Sequence, residues 1–346
     1  MKTLLKIITL TLICCFSKQS FAQKSIPLNQ QIEEIITSKH SFPFNGVILI
    51  SKNGKTVYEK VYGFQNIEDK TPLKKTNQFE IMSNSKLFTS VLILKEVEKG
   101  KINLQQSIKT YLPEITQTWA DSVTVHQLLN HTHGIKDVSQ PLLFKPGTEF
   151  KYGNYSCVLL GKILTKVTNK TYRELATNLI KETSLTETFV YSEKEKNQLV
   201  QGYFYQNDSL ILNHQTLINE ENLPADGIIS TAKDLAKWNS LLHNGKILKQ
   251  ETYQLLITPS TLSQHNVFGK TPHGYAYNIR NVTENNINYV GHTGLGDGFS
   301  AINIYFPKSK VSLVVLQNIM PDQPEDYYFY EKLIKDAVMK SDLITK

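Results

Sequence analysis

Cysteine is scarce in this 346-residue chain: there are three, and two of them, Cys14 and Cys15, stand in the first few residues, leaving Cys157 alone in the rest. A lone cysteine builds no internal disulfide framework, and the absence of a Cys-x-x-Cys pair there excludes zinc ribbons and thioredoxin-type redox chemistry. Arginine is scarcer still, with Arg173 and Arg280 the only two among 38 Lys+Arg. The lysines form no dense basic run and do not interleave with aromatics, so no nucleic-acid partner is expected. No segment is long and apolar enough to cross a bilayer as a helix, and there is no fixed-period repeat or low-complexity tract. What the chain does have is 40% hydrophobic and 20% charged residues, enough apolar sequence for a sizeable core and against a disordered chain. Its length fits one large domain or two lobes.

Lys2 and Lys6 precede an apolar run over residues 7–16, and Ser20-Phe21-Ala22 follows. A basic start, a short greasy stretch and small residues at the cleavage positions predict a signal peptide over residues 1–22, cut after Ala22, and a periplasmic or secreted protein. Ile13 before Cys14, and Cys14 before Cys15, are poor contexts for lipid anchoring. Removing residues 1–22 takes three lysines and no acids, leaving 35 basic against 31 acidic residues, a modest +4.

Ile32, Ile35 and Ile36 share one face of a helix over residues 31–39. Strands over 47–51 and 55–62 are joined by Asn53-Gly54, a strong hairpin signal because both residues tolerate positive φ. Near the other end, residues 288–294, 299–306 and 311–317 read as strands, and a final helix follows Pro324 and runs to Lys340. The middle reads as mostly helix and loop, clearest at 155–167 and at 231–242, where Thr231 and Asp234 are spaced as a capping box. The expected fold class is α+β within one domain, 23–346. Both chain ends, about 23–100 and 271–346, build an antiparallel sheet flanked by helices, and a mostly helical lobe, about 101–270, is inserted between them. The cleft between lobes is the natural site.

Three short motifs carry chemistry. Ser83-Asn84-Ser85-Lys86 leads into Leu87, Phe88, Val91, Leu92, Ile93, Leu94 and Val97, a helix apolar nearly all round and so buried. Ser83 and Lys86 share a face at the helix N-terminus, where unpaired N–H groups favour a developing oxyanion. Lys86 serves as a base only if neutral, and burial with nearby positive charge favours the neutral amine. The plainer alternative is a capping serine and a snorkelling lysine, and Ser230–Lys233 repeats the spacing at an ordinary helix start. Tyr152-Gly153-Asn154 precedes the helix at 155; a loop-tip tyrosine relays a proton, and an asparagine two residues on binds an amide or positions a lysine. Tyr205-Gln206-Asn207 shows the same spacing in a polar stretch read as loop. In Gly291-His292-Thr293-Gly294-Leu295-Gly296 the glycines admit close backbone approach to a ligand. His131-Thr132-His133 with His126 nearby lacks the further ligand that a metal site requires, so no metal is expected.

In this order, Phe79-Glu80-Ile81-Met82-Ser83-Asn84-Ser85-Lys86-Leu87-Phe88-Thr89, Tyr152-Gly153-Asn154 and Gly291-His292-Thr293-Gly294 resemble the penicillin-recognising serine hydrolases, within them the class C β-lactamase and D-alanyl-D-alanine carboxypeptidase branch. Residues 128–135 and 226–235 are also similar, and the likeness covers most of 30–340. The resemblance implies a β-lactamase/transpeptidase-like fold with no cofactor or metal. It implies acylation of Ser83, with Lys86 and Tyr152 sharing proton transfer and the identity of the base open. Asn154 would bind the substrate amide, and the N–H groups of Ser83 and Leu295 would form the oxyanion hole. His292, Thr293 and Gly294 would line a strand edge where an extended substrate adds as a further strand. Lys is usual in the β-lactamases at position 292, whereas His occurs in carboxypeptidase-like and peptidase-like relatives. The expected substrate is therefore a small molecule or peptide: a peptidoglycan-like peptide or other amide, with a lactam or ester as alternatives on the same scaffold and inert binding of cell-wall fragments last. Arg280, twelve residues before His292, either holds a substrate carboxylate from the neighbouring strand or is a surface arginine. Residues 187–222 and 250–272 match nothing assignable and are expected to shape the pocket.

Overall fold

The computed structural model describes residues 26–194, 199–263 and 272–344, so the expected signal peptide lies outside the described residues. The chain enters through α1 (Leu28–Ile36), which turns Ile32 and Ile36 inward. β1 (Gly46–Lys52) and β2 (Lys55–Tyr62) form the expected hairpin, with Asn53 at φ 53° and Gly54 at φ 75°, the left-handed pair a two-residue turn requires. A small pair, β3 (Phe64–Asn66) and β4 (Thr71–Pro72), precedes β5 (Phe79–Glu80), a 3-10 turn at Met82–Asn84 and α2 (Ser85–Glu98).

The middle of the chain carries α3 (Val125–Leu129), α4 (Tyr155–Thr168), α5 (Tyr172–Glu182), β6 (Phe189–Val190), β7 (Tyr203–Gln206), β8 (Ser209–Leu212), α6 (Leu223–Asp226), β9 (Ile228–Ser230), α7 (Ala232–His243) and α8 (Gln250–Ile257). After these come β10 (Thr261–Ser263), β11 (His273–Tyr275), β12 (Arg280–Glu284), β13 (Ile287–Gly296), β14 (Phe299–Phe306), β15 (Val311–Gln317), β16 (Ile319–Pro321) and α9 (Phe329–Lys340). No described helix is long and apolar enough to cross a membrane.

The main sheet runs β10-β11-β12-β13-β14-β15-β1-β2, antiparallel throughout, and the β1–β15 pairing joins the two chain ends. Side chains alternate across it. Val47, Leu49, Val314 and Leu316 enter one core with α2, α4 and α7, whereas Ile48, Ile50, Leu313 and Val315 enter a second with α1 and α9. Helices cover both faces, so the central strands are continuous apolar runs rather than alternating ones.

Several expectations need correction. Tyr205-Gln206-Asn207 is no loop: it ends β7, and Asn207 (φ 49°) and Asp208 (φ 58°) turn the chain into β8. Within the mostly helical middle, β6 and β9 pair with β5 from the first part of the chain in a small sheet. Thr231 caps α7 by accepting the Asp234 N–H at 3.2 Å, but the Asp234 carboxylate instead receives Glu187 N–H (2.8 Å) and Thr188 Oγ1 (2.9 Å), so the capping box is half formed. The final helix starts at Phe329, later than Pro324 suggests, because Tyr328 at φ 60° breaks it from the 3-10 turn Pro324–Asp326.

Candidate active site

Ser83 stands one turn ahead of α2, in the 3-10 turn, rather than in the helix itself. Met82 before it adopts φ 47°, a left-handed backbone that is costly for a non-glycine and that re-aims the serine. The three-residue spacing still sets Ser83 beside Lys86, whose Nζ donates to Ser83 Oγ at 2.6 Å. Lys86 is fully buried, so the snorkelling alternative fails.

The charge of Lys86 departs from expectation. Burial, the largest single influence, pushes its pKa down, but the Asp226 carboxylate 3.2 Å from Nζ, with Tyr152 and Cys157 acting in the same sense, together more than offset it, so the amine is held above its ordinary value as an ammonium. Asp226, Tyr152 and Cys157 acting together, and not nearby positive charge, set the balance. Asp226 also accepts from Ser83 Oγ at 3.2 Å through Oδ1, and from Asn154 Nδ2 at 2.6 Å through Oδ2. The Asn154 amide nitrogen, expected to meet substrate, is thus engaged with Asp226.

Tyr152 enters from the opposite lobe. Lys86 Nζ lies 5.4 Å from its ring centroid, His131 packs on the ring at 4.7 Å, and His292 lies parallel to it at 5.9 Å. Both histidines are neutral. Burial, then neighbouring cations, push His292 well below its usual range; its Nδ1 donates to the Thr293 carbonyl (2.7 Å), leaving Nε2 to accept from Tyr275 Oη (3.1 Å). Burial likewise lowers His131, which bridges Asn278 (2.8 Å) and Ser156 (3.2 Å). His126 is tied to Tyr277 and Asn130, and no group of three potential metal ligands occurs among the described residues.

β13 forms the other wall. A Cβ on Gly294 would lie 2.2 Å from the Ile81 carbonyl oxygen, so the glycine lets the strand abut the Ser83 turn and sets the Leu295 amide, one peptide on, beside it. The β12–β13 ladder ends at Arg280↔Gly291, while β13 continues to Gly296 paired with β14 alone. Among the described residues no strand pairs with the other edge of 292–296. Arg280 is 2% exposed, which rules out a surface arginine. Its Nη1 donates to Thr293 Oγ1 at 3.4 Å, and its guanidinium lies 5.6 Å from the Tyr275 ring centroid.

The structure therefore brings Ser83, Lys86 and Tyr152 to one point, with His292, Thr293, Gly294, Leu295 and Arg280 along the adjoining strands. Asp226 is the residue that sequence reasoning missed, although it heads the 226–235 segment that carries part of the resemblance.

This is the β-lactamase/transpeptidase-like fold around a serine–lysine pair. The Beta-lactamase family model matches residues 44–334, and the chain belongs to that family. Protein flp of Staphylococcus aureus (strain N315) is 29% identical over 320 residues, 84% of this chain and 63% of that protein, so the chain spans less than two thirds of that relative. Among solved structures, the octameric penicillin-binding protein homologue from Pyrococcus abyssi superposes with a TM-score of 0.77 at 24% identity, covering 90% of this chain and 76% of that one. The D-amino acid amidase from Ochrobactrum anthropi SV3 gives 0.77 at 19% identity, covering 90% and 98%.

Proposed function

We propose that the chain is a serine hydrolase that forms an acyl-enzyme at Ser83 and cleaves an amide or peptide of the D-alanyl-D-alanine carboxypeptidase type. The observation that carries this reading is the Ser83 Oγ at 2.6 Å from a buried lysine, beside a strand edge that is unpaired among the described residues. An extended substrate adds to that edge as a further strand. Ser83 Oγ attacks the carbonyl carbon, and the N–H groups of Ser83 and Leu295 hold the oxyanion. Tyr152, in contact with Lys86, delivers a proton to the leaving nitrogen, and water then hydrolyses the acyl-enzyme. Arg280, beside Thr293, receives a substrate carboxylate.

The neutral His292 supports an amide or peptide over a lactam, because it supplies no cation where the β-lactamases carry lysine. A D-amino acid amidase on the same fold fits an amide leaving group. The basic, apolar and small-residue pattern of residues 1–22 supports export, with a mature chain starting at Gln23. The test is mass spectrometry after incubation with D-Ala-D-Ala peptides, D-amino acid amides, p-nitrophenyl esters and nitrocefin. The expected result is an acyl adduct on Ser83 and fastest turnover of a D-Ala-D-Ala peptide or D-amide. Equal adducts on native and Ser83→Ala chains sink the hydrolase, and faster turnover of nitrocefin or the esters sinks the amide preference.

A further inference from the structure

Lys86 Nζ donates to Ser83 Oγ at 2.6 Å, to Asp226 Oδ1 at 3.2 Å and to the Ala225 carbonyl at 3.2 Å, and it also meets Tyr152. Donation to all three of these oxygens takes the three hydrogens of an ammonium. The Lys86–Ser83 contact therefore spends a lysine hydrogen on the serine oxygen and offers the Ser83 proton no lone pair. The Ser83 hydroxyl points its hydrogen instead at Asp226 Oδ1, 3.2 Å away.

The carboxylate is built into position. Thr89 Oγ1 on α2 donates to the Pro224 carbonyl (2.7 Å), and Ser85 Oγ accepts the Ile228 N–H (3.0 Å), so two α2 side chains fasten the segment on either side of Asp226. Asn154 Nδ2 fixes the second carboxylate oxygen at 2.6 Å. Asp226 is 5% exposed, so protein groups and not bulk water set its geometry.

Resting on the hydrolase reading, we propose that Asp226 is a catalytic residue, the base that takes the Ser83 proton during acylation. As the Oγ–carbon bond forms, the hydroxyl proton passes to Asp226 Oδ1 and the carbonyl electrons move onto the oxyanion. Collapse breaks the carbon–nitrogen bond while Tyr152 gives its proton to the leaving nitrogen. Lys86 reprotonates Tyr152, and the Asp226 carboxyl reprotonates Lys86 across their 3.2 Å contact, which restores the ion pair. One proton has travelled from Ser83 to the leaving group. In deacylation a water proton goes to Asp226 while the carbon–Oγ bond breaks and Ser83 Oγ takes a proton from Lys86, and Asp226 again restores the ammonium. Asn154 is a positioning residue that acts through Asp226.

A fluorophosphonate isolates the first step, because fluoride leaves without a proton while the Oγ–phosphorus bond forms. Labelling rates are measured for the native, Ser83→Ala and Asp226→Asn chains. Asp226→Asn is expected to label about 100-fold or more slowly than native at neutral pH. Its residual labelling is expected to climb with pH, because Lys86 without its carboxylate becomes a titrating base; a merely structural role for Asp226 gives no such change of profile. The native chain tests the same point without any variant: its labelling stays level from about pH 6 to about pH 9, whereas a lysine or tyrosine base gives about a tenfold rise per unit. A native chain that fails to label at Ser83 ends the hydrolase reading and the Asp226 role with it. A native chain that labels while Asp226→Asn keeps pace within threefold, or whose own rate rises tenfold per unit, ends the Asp226 role alone.

Discussion

Gly294→Ala offers a direct test of how β13 meets the Ser83 turn. The added Cβ would stand 2.2 Å from the Ile81 carbonyl oxygen and 3.1 Å from Asn84 Nδ2. The first contact is with backbone, so no side-chain rotation relieves it. Restoring an ordinary 3.4 Å requires about 1 Å of separation between the turn and the strand carrying Leu295. A misplacement of that size costs on the order of 100-fold in rate when it falls on an attacking atom or an oxyanion donor. The overpacking itself costs about 1–3 kcal/mol, a few degrees in Tm for a chain of this size. Gly46→Ala is the matched control, because Gly46 on β1, in the opposite half of the main sheet, would carry a Cβ 2.1 Å from the Leu316 carbonyl oxygen of β15. The two variants are expected to lose similar stability by thermal denaturation, and only Gly294→Ala to lose Ser83 labelling by fluorophosphonate. Labelling of Gly294→Ala within threefold of native, or an equal loss in Gly46→Ala, refutes the close-approach argument.

Lys86→Met leaves the Asp226 carboxylate buried without its cation, so urea unfolding should show a loss of about 3–5 kcal/mol, most of it recovered in the double variant with Asp226→Asn; no recovery breaks the ion-pair account. Arg280→Gln should raise KM at least about tenfold for peptides ending in a free carboxylate and leave C-terminal amides unaffected; equal effects on both refute carboxylate capture. His133, 2% exposed, accepts the Ile135 N–H through Nδ1, and burial holds its pKa down at about 4. That value lies below the unfolded one, so the stability it contributes is complete above about pH 6.5 and is lost as pH falls toward 4, about 3 kcal/mol over the interval. His133→Asn keeps an acceptor for Ile135 and removes the titration, so its urea midpoint should fall less with acid than that of the native chain; parallel curves refute the assignment.

Much of the sheet was legible because its signals are local. Asn53-Gly54 fixes the first hairpin, and β14 and β15 match residues 299–306 and 311–317, since a strand buried on both faces is an uninterrupted apolar run. The β7–β8 hairpin escaped because its half-exposed strands carry no such run, although Asn207-Asp208 was a turn signal of the same kind. The charge of Lys86 was misjudged for a different reason. Burial was read rightly, but the sign of the nearest charge depends on a residue 140 positions away.

A signal for that residue was nevertheless present. Asp226 is the only charged residue in Leu223-Pro224-Ala225-Asp226-Gly227-Ile228-Ile229, just as Lys86 is the one charge at the head of an apolar helix. An acid inside an apolar run is expected to be buried, and a buried acid requires a partner. Two lone charges of opposite sign, each in a segment that must enter the core, satisfy one another at lower cost than either could alone. Pairing such charges across the sequence leaves Asp226 and Glu80, the lone acid of Phe79-Glu80-Ile81-Met82, as partners for Lys86, and either choice makes the lysine beside the serine an ammonium; the fold selects Asp226.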